Sequence, residues 1–163
     1  MSATAVTVRR VDYRADTDRT ALVQLLDAYA RDPMGGGEPL PSEVRELLCD
    51  DLAAHPLAAS FIAWQGDAPV GLANCFEAYS SFKARPLLNV HDLVVLPAQR
   101  GAGIGQALLA ACQAHAAERG GCKLTLEVLS GNQRALRSYE QFGFAPYTLD
   151  PRAGQALLLQ KWL

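Results

Sequence analysis

No stretch of eighteen consecutive apolar residues occurs in this chain of 163 residues, so no membrane-spanning helix and no membrane partner are expected. Positive charge is not in excess either: 15 Lys and Arg stand against 17 Asp and Glu, for a net charge of −2. That balance provides no basic field, and no nucleic-acid partner is expected. Cysteine is scarce, and Cys49, Cys75, Cys112 and Cys122 show no Cys-x-x-Cys spacing. Reduced, buried thiols and no metal site are the expectation. Residues Met1 to Val6 lack a basic segment followed by a long apolar core, so no secretory signal is read there, and a cytoplasmic location is expected. No internal repeat, low-complexity tract or interdomain linker interrupts the chain. What is present is ordinary globular composition, 50% hydrophobic and 20% charged, of a length that suits one domain over residues 1–163.

Periodicity divides the chain into alternating elements. Residues 4–10 alternate as a first strand, and Asp16-Thr17-Asp18 offers a cap for a helix carrying Ala21, Leu22, Leu25, Leu26 and Tyr29. Three glycines between Pro33 and Pro39 break that helix, and Pro41-Ser42 opens a second one through Leu52. Residues 58–65 and 68–78 read as antiparallel strands joined by a tight Gly66-Asp67 turn. Residues 89–96 form a strongly apolar strand, 104–119 an amphipathic helix closed by Gly120-Gly121, and 123–129 another strand. This β-α-β unit sets its two strands parallel. A helix over 132–142 ends at Gly143, and residues 144–149 and 155–163 read as two closing strands. The sum is an α/β (α+β) fold with a mixed, mostly antiparallel sheet.

The segment Gln99-Arg100-Gly101-Ala102-Gly103-Ile104-Gly105-Gln106 stands between the apolar strand and the amphipathic helix. A helix start leaves its first N–H groups without internal partners, the helix dipole adds partial positive charge there, and glycines let an anion approach the main chain. Together these make a seat for phosphate or diphosphate. Spacing separates the families that use such a turn. No Lys-Ser or Lys-Thr follows the glycines, which disfavours a nucleotide-binding kinase. The order Gly101-x-Gly103-x-Gly105, after residue 95, does not match the dinucleotide fingerprint. The pattern that fits is Arg-x-x-Gly-x-Gly at Arg100, Gly103 and Gly105.

A second block lies one helix and one strand further on. Residues 132–144 read Asn-x-x-Ala-x-x-x-Tyr-x-x-x-Gly-Phe, with Asn132, Ala135, Tyr139, Gly143 and Phe144 at the fixed positions. The two blocks together resemble the coenzyme-binding segments of the GNAT superfamily of acetyl-coenzyme A-dependent N-acetyltransferases. The resemblance runs from about Asn89 to Tyr147. It implies a sheet of about six to seven strands with a splayed parallel pair in its centre, flanked by about four helices. It also implies acetyl-coenzyme A as cosubstrate and a primary amine as acceptor, on a small molecule (amino-acid-like or polyamine-like) or on a protein. A non-catalytic acyl-coenzyme A-binding or regulatory module on the same fold is the alternative.

The resemblance assigns residues as follows. Main-chain groups of Leu93, Val94 and Val95 pair with the pantetheine arm, and a backbone N–H near the end of that strand stabilises the developing oxyanion. A buried strand accounts equally well for those three side chains. Arg100, Gly101, Ala102, Gly103, Ile104, Gly105 and Gln106 hold the diphosphate, and Asn132 contacts the pantetheine or caps its helix. Tyr139, two helical turns beyond Asn132, faces the coenzyme sulfur as general acid, or else is a core tyrosine with a satisfied hydroxyl. His91, in a residue type that titrates near neutrality, is the general base or a structural histidine. A period of two puts Asn89, His91, Leu93 and Val95 on one face and Asp92 on the other. The acceptor is expected near Tyr29, Tyr79, Asn89 and His91. Asp32 and Glu38 suit a cationic amine there, and Lys83 and Arg85 suit a carboxylate. Attack is expected to be direct, in a ternary complex. The apolar run at residues 156–159 suggests a homodimer contact.

Overall fold

The computed structural model describes residues 5–163. Thr4 of the expected first strand and most of the N-terminal stretch examined for a signal lie outside the described residues. Strand β1 (Val6–Arg10) leads into α1 (Asp16–Arg31) and α2 (Ser42–Ala54), followed by β2 (Ala58–Gln65), β3 (Ala68–Ser80) and β4 (Arg85–Val95). Helix α3 (Ile104–Glu118), β5 (Leu124–Leu126) and α4 (Gln133–Phe142) complete the order, with single 3₁₀ turns at Pro97–Gln99 and Pro151–Ala153. The sheet runs β1-β2-β3-β4-β5. Its first three pairings are antiparallel, and β4 with β5 is parallel.

Both faces of the sheet are covered. On one face α1 and α2 bury Leu22, Leu25 and Leu52 against Ile62, Trp64, Leu72 and Val94. On the other, α3 buries Leu108, Leu109 and Cys112 against Ala63, Ala73 and Val90. The small residues of β2 and β3 let α3 lie close. A Cβ on Gly71 would stand 3.0 Å from Leu108 Cδ1 and 3.0 Å from the Val94 carbonyl oxygen. The four cysteines are free thiols. Cys75 and Cys112 touch across this layer with their sulfurs 3.4 Å apart. Their mutual hydrogen bond and burial push the Cys75 thiol well above its usual range.

Four expectations are corrected. The Asp16-Thr17-Asp18 cap does not form, since Ala15 occupies the N-cap position without a side-chain bond. Asp18 turns inward, 2% exposed, and accepts two hydrogen bonds from the Arg9 guanidinium and one from the Asp12 amide. That tie anchors the start of α1 to β1. The sheet has five strands among the described residues rather than six or seven, and the parallel pair lies at its edge rather than in its centre. Residues 144–149 and 155–163 form no strand. Leu157, Leu158 and Leu159 are 80%, 71% and 84% exposed. A strand requires a neighbour to complete its ladder, and β5 extends over only three residues.

Candidate active site

Pairing between β4 and β5 covers Leu88 with Leu124, Asn89 with Thr125 and Val90 with Leu126, then stops. Asn89 closes this short zipper by donating from Nδ2 to Thr125 Oγ1 at 3.0 Å. Beyond it the two strands part. A register shift on the opposite side of β4 coincides with the parting: Cys75 pairs with Val90 and Asn74 with Asp92, leaving His91 as the inserted residue. Such a bulge bends its strand and resets which side chains face which way. It overturns the expected grouping of Asn89, His91, Leu93 and Val95. Leu93 and Val95 pack on the α3 face. Asn89 and Asp92 stand opposite Phe76 and Asn74, on the α1 face. His91 is exposed, with its ring edge-on to Phe76 at 5.6 Å.

The glycine turn follows the free end of β4. Gly101 and Gly103 have φ values of +87° and +79°, a left-handed conformation that glycine adopts without a Cβ penalty. Neither glycine has a neighbouring atom within 4 Å of its Cβ direction, so the main chain there faces open space. Gly103 is the N-cap of α3 and provides no side-chain cap. The first intrahelical bond runs from the Ala107 amide to the Gly103 carbonyl at 3.0 Å. The amides of Ile104, Gly105 and Gln106 therefore point out of the helix end. Donors in this arrangement fit a diphosphate.

Two side chains of the turn hold the frame. Arg100 donates from Nε to the Val95 carbonyl at 3.0 Å and pairs through Nη2 with Asp32 at 2.8 Å. It thus joins the end of β4 to the α1–α2 loop, and it occupies one of the carbonyls expected to pair with pantetheine. Gln106 donates to the carbonyl and hydroxyl of Ser138 at 2.8 and 3.0 Å, which fixes α4 against the start of α3. Asn132 caps α4, its Oδ1 accepting from the Ala135 amide at 3.2 Å.

Tyr139 and Tyr29 come from opposite faces of the sheet, near enough for Tyr29 to act on the Tyr139 phenol. Tyr139 packs on the α3-side core and Tyr29 on the α1-side core. Burial, with a smaller contribution from Tyr29, pushes the Tyr139 phenol up to about 12. Burial raises Tyr29 as well, with further contributions from the charges of Asp92 and Asp32. Both phenols therefore stay protonated through the physiological range.

The remaining expected acceptor residues are not gathered here. Tyr79 is 65% exposed and pairs with Pro86 at the far end of β4, roughly 17 Å from His91 at about 3.3 Å per residue. Arg85 is engaged with the carbonyls of Gly120 and Gly121. A cleft of about 430 Å³ between α1 and α2, lined by Arg19, Asp27 and Arg45 among others, includes none of the residues around the gap. Among the described residues no His, Cys, Asp and Glu cluster of metal-binding form occurs, and no helix is long and apolar enough to cross a membrane.

The sequence model of the acetyltransferase (GNAT) family matches residues 20–144. This chain belongs to that family. The matched residues include the β4–β5 pair, the glycine turn and α4. Streptothricin acetyltransferase of Streptomyces lavendulae is 40% identical over 73 residues, covering 45% of this chain and 38% of that protein. Thialysine N-epsilon-acetyltransferase of Bos taurus is 34% identical over 79 residues, 48% of this chain and 46% of that protein. The matches thus span less than half of these curated relatives. Among solved structures, a transcriptional regulator from Bacillus halodurans C-125 superposes with a TM-score of 0.78 at 23% identity, over 97% of this chain and 100% of that one. An aminoglycoside acetyltransferase from an uncultured soil metagenomic sample gives 0.74 at 17% identity, over 97% and 95%. At those identities the likeness establishes the GNAT fold. Tyr13, Ser60 and Asn74, which are hydrogen-bonded in line to Asp92, were not apparent from the sequence, because no motif spaces them.

Proposed function

We propose that this GNAT chain transfers the acetyl group of acetyl-coenzyme A to a primary amine, by direct attack within a ternary complex. The observation that carries the reading is the end of β4–β5 pairing beyond Val90, followed along the chain by the uncapped amides of residues 104–106, with Tyr139 packed on the same core cluster as Val90. The coenzyme supplies the acetyl group in activated form, as a thioester. The chain supplies orientation and electrostatics. Main-chain groups of Leu93 and Val94 would hold the pantetheine arm, and residues 101–106 its diphosphate. Tyr139, with a phenol pushed up to about 12, stays neutral and donates a hydrogen bond toward the departing sulfur. Full transfer from it to a thiolate of ordinary basicity, about 8.5, would run uphill, so its part is stabilisation rather than complete protonation. His91 and Asp92 both stand at the bulge as candidates for the proton released by the amine, with Tyr29 and Asn89 beside the acceptor.

The names of the relatives, streptothricin and thialysine acetyltransferases, favour a small-molecule amine, amino-acid-like or polyamine-like, over a protein amine. A panel of primary amines with acetyl-coenzyme A, read by free thiol, tests the reading. Amine-dependent thiol release is expected. Calorimetric coenzyme binding with no release across the panel would make the chain a non-catalytic acyl-coenzyme A-binding module. A homodimer is proposed from the exposed residues 156–159, to be read by sedimentation.

A further inference from the structure

The α1 face of the sheet contains a line of polar side chains crossing an otherwise apolar layer. Tyr13, in the turn before α1, has its Oη 2.8 Å from Ser60 Oγ. Ser60, on β2, donates to Asn74 Oδ1 on β3 at 2.7 Å. Asn74 donates from Nδ2 to Asp92 Oδ2 on β4 at 3.1 Å. Ser60 is 1% and Asn74 3% exposed. Buried polar groups of this kind cost stability unless bonded, and a layer that served only packing would be built more cheaply from Ala and Val.

The directions of the bonds add to this. Ser60 commits its one proton to Asn74, so the Tyr13 hydroxyl must be the donor to Ser60. Burial raises the Tyr13 phenol above its ordinary value, which keeps it protonated for that task. With the Asn74 amide turned over, its oxygen would face the carboxylate, so only the present orientation serves an ionised Asp92. Three donors in series therefore end on one oxygen of one carboxylate. The other oxygen, Oδ1, accepts no hydrogen bond among the described residues. Asp92 sits just beyond the bulge, where β4 has lost β5, and its charge acts on Tyr29, which packs on the same α1 face. His91 has no comparable orientation: it is exposed, and its ring leans on Phe76.

We propose that Asp92, held in one orientation by Tyr13, Ser60 and Asn74, is the base that takes a proton at Oδ1, as the new bond forms, from an acceptor amine that arrives as its ammonium ion. This rests on the acetyl-transfer reading above. As one N–H bond of the ammonium breaks and its proton passes to Oδ1, the electron pair left on nitrogen forms the new bond to the acetyl carbon. The carbon–sulfur bond breaks and the thiolate departs with its pair, the new amide nitrogen sheds its second proton to that thiolate, and Asp92 returns its own proton to solvent. Asn74, Ser60 and Tyr13 are positioning residues, acting through Asp92.

The test uses the full chain, the fastest alkylamine of the panel and its β,β-difluoro counterpart, which has nearly the same shape but arrives largely unprotonated. Asp92→Asn should lower kcat/KM about 100-fold for the alkylamine, within the range for a lost general base, and less than 5-fold for the fluorinated amine. Coenzyme affinity by calorimetry should change less than 2-fold. Ser60→Ala and Tyr13→Phe, each deleting one hydroxyl, should give the same selective pattern at 3- to 10-fold. Equal losses on both amines would show a merely structural role and overturn the proposal, as would undiminished turnover by Asp92→Asn. If the wild-type chain releases no thiol with any amine, the acetyl-transfer reading falls first and this one with it. If the wild type turns over and only the Asp92→Asn pattern fails, the acetyl-transfer reading stands alone.

Discussion

Replacement of Gly103 separates charge from shape at the glycine turn. The residue is left-handed at φ +79°, and an added Cβ would meet nothing within 4 Å. Any side chain there has a backbone cost of about 1 to 2 kcal/mol, which Asp and Asn tolerate better than most residues. In a chain of this size that corresponds to a Tm lowered by roughly 2 to 8 °C, equally for Gly103→Asp and Gly103→Asn. Only Asp adds charge. A carboxylate about 5 Å from one phosphate charge, at an effective dielectric near 20, opposes binding by about 3 kcal/mol, roughly two orders of magnitude in Kd. Calorimetry with coenzyme A should therefore find Gly103→Asp about 100-fold weaker than Gly103→Asn. Added salt should narrow the difference, because the turn is exposed and screened. Equal Kd values for the two variants would refute a diphosphate seat at this helix end.

Other outcomes follow from neighbouring features. Tyr139→Phe should lower kcat by about 100-fold, the lower range for a lost transition-state donor, with coenzyme Kd within about 3-fold by calorimetry, the ring and its packing being retained. The Tyr139 value of about 12 lies above the ordinary value near 10 for an unfolded tyrosine. The native chain therefore binds more protons than the unfolded chain between pH 10 and about 12. Stability should fall as pH rises through that window, and Tyr139→Phe should flatten the fall in urea titrations. Gly71→Ala forces a methyl against Leu108, Ile104 and the Val94 carbonyl at 3.0 to 3.1 Å. The carbonyl cannot turn aside, and a loss of about 1 to 3 kcal/mol by urea unfolding is expected.

Features whose chemistry is local were legible in the sequence. The glycine turn, the α3 start and the Asn132 cap depend on residues within a few positions of one another, and each appears where its spacing places it. The Gly66-Asp67 turn likewise joins β2 to β3. The bulge at His91 was not legible, because it arises from the register between β3 and β4 rather than from either strand's own pattern. A strict period of two therefore misassigned the faces on both sides of it. Asp92 and its three supporting residues come from four separate segments and share no spacing. The closing strands were read from apolar content alone, and the Leu157-Leu158-Leu159 run has no alternation to specify one buried face.

Tyr29 and Tyr139 pack on opposite sides of the sheet, one from the part of the chain before β4 and one from the part after it. That arrangement suits a division of labour along the sequence. On the proposed reading, residues up to the bulge face the nucleophile, and those from Leu93 on hold the donor. Exchange of α1 and α2 for those of a relative should therefore reassign acceptor choice while the nucleotide carrier is held as before. One thioester-handling half can in this way serve many amines.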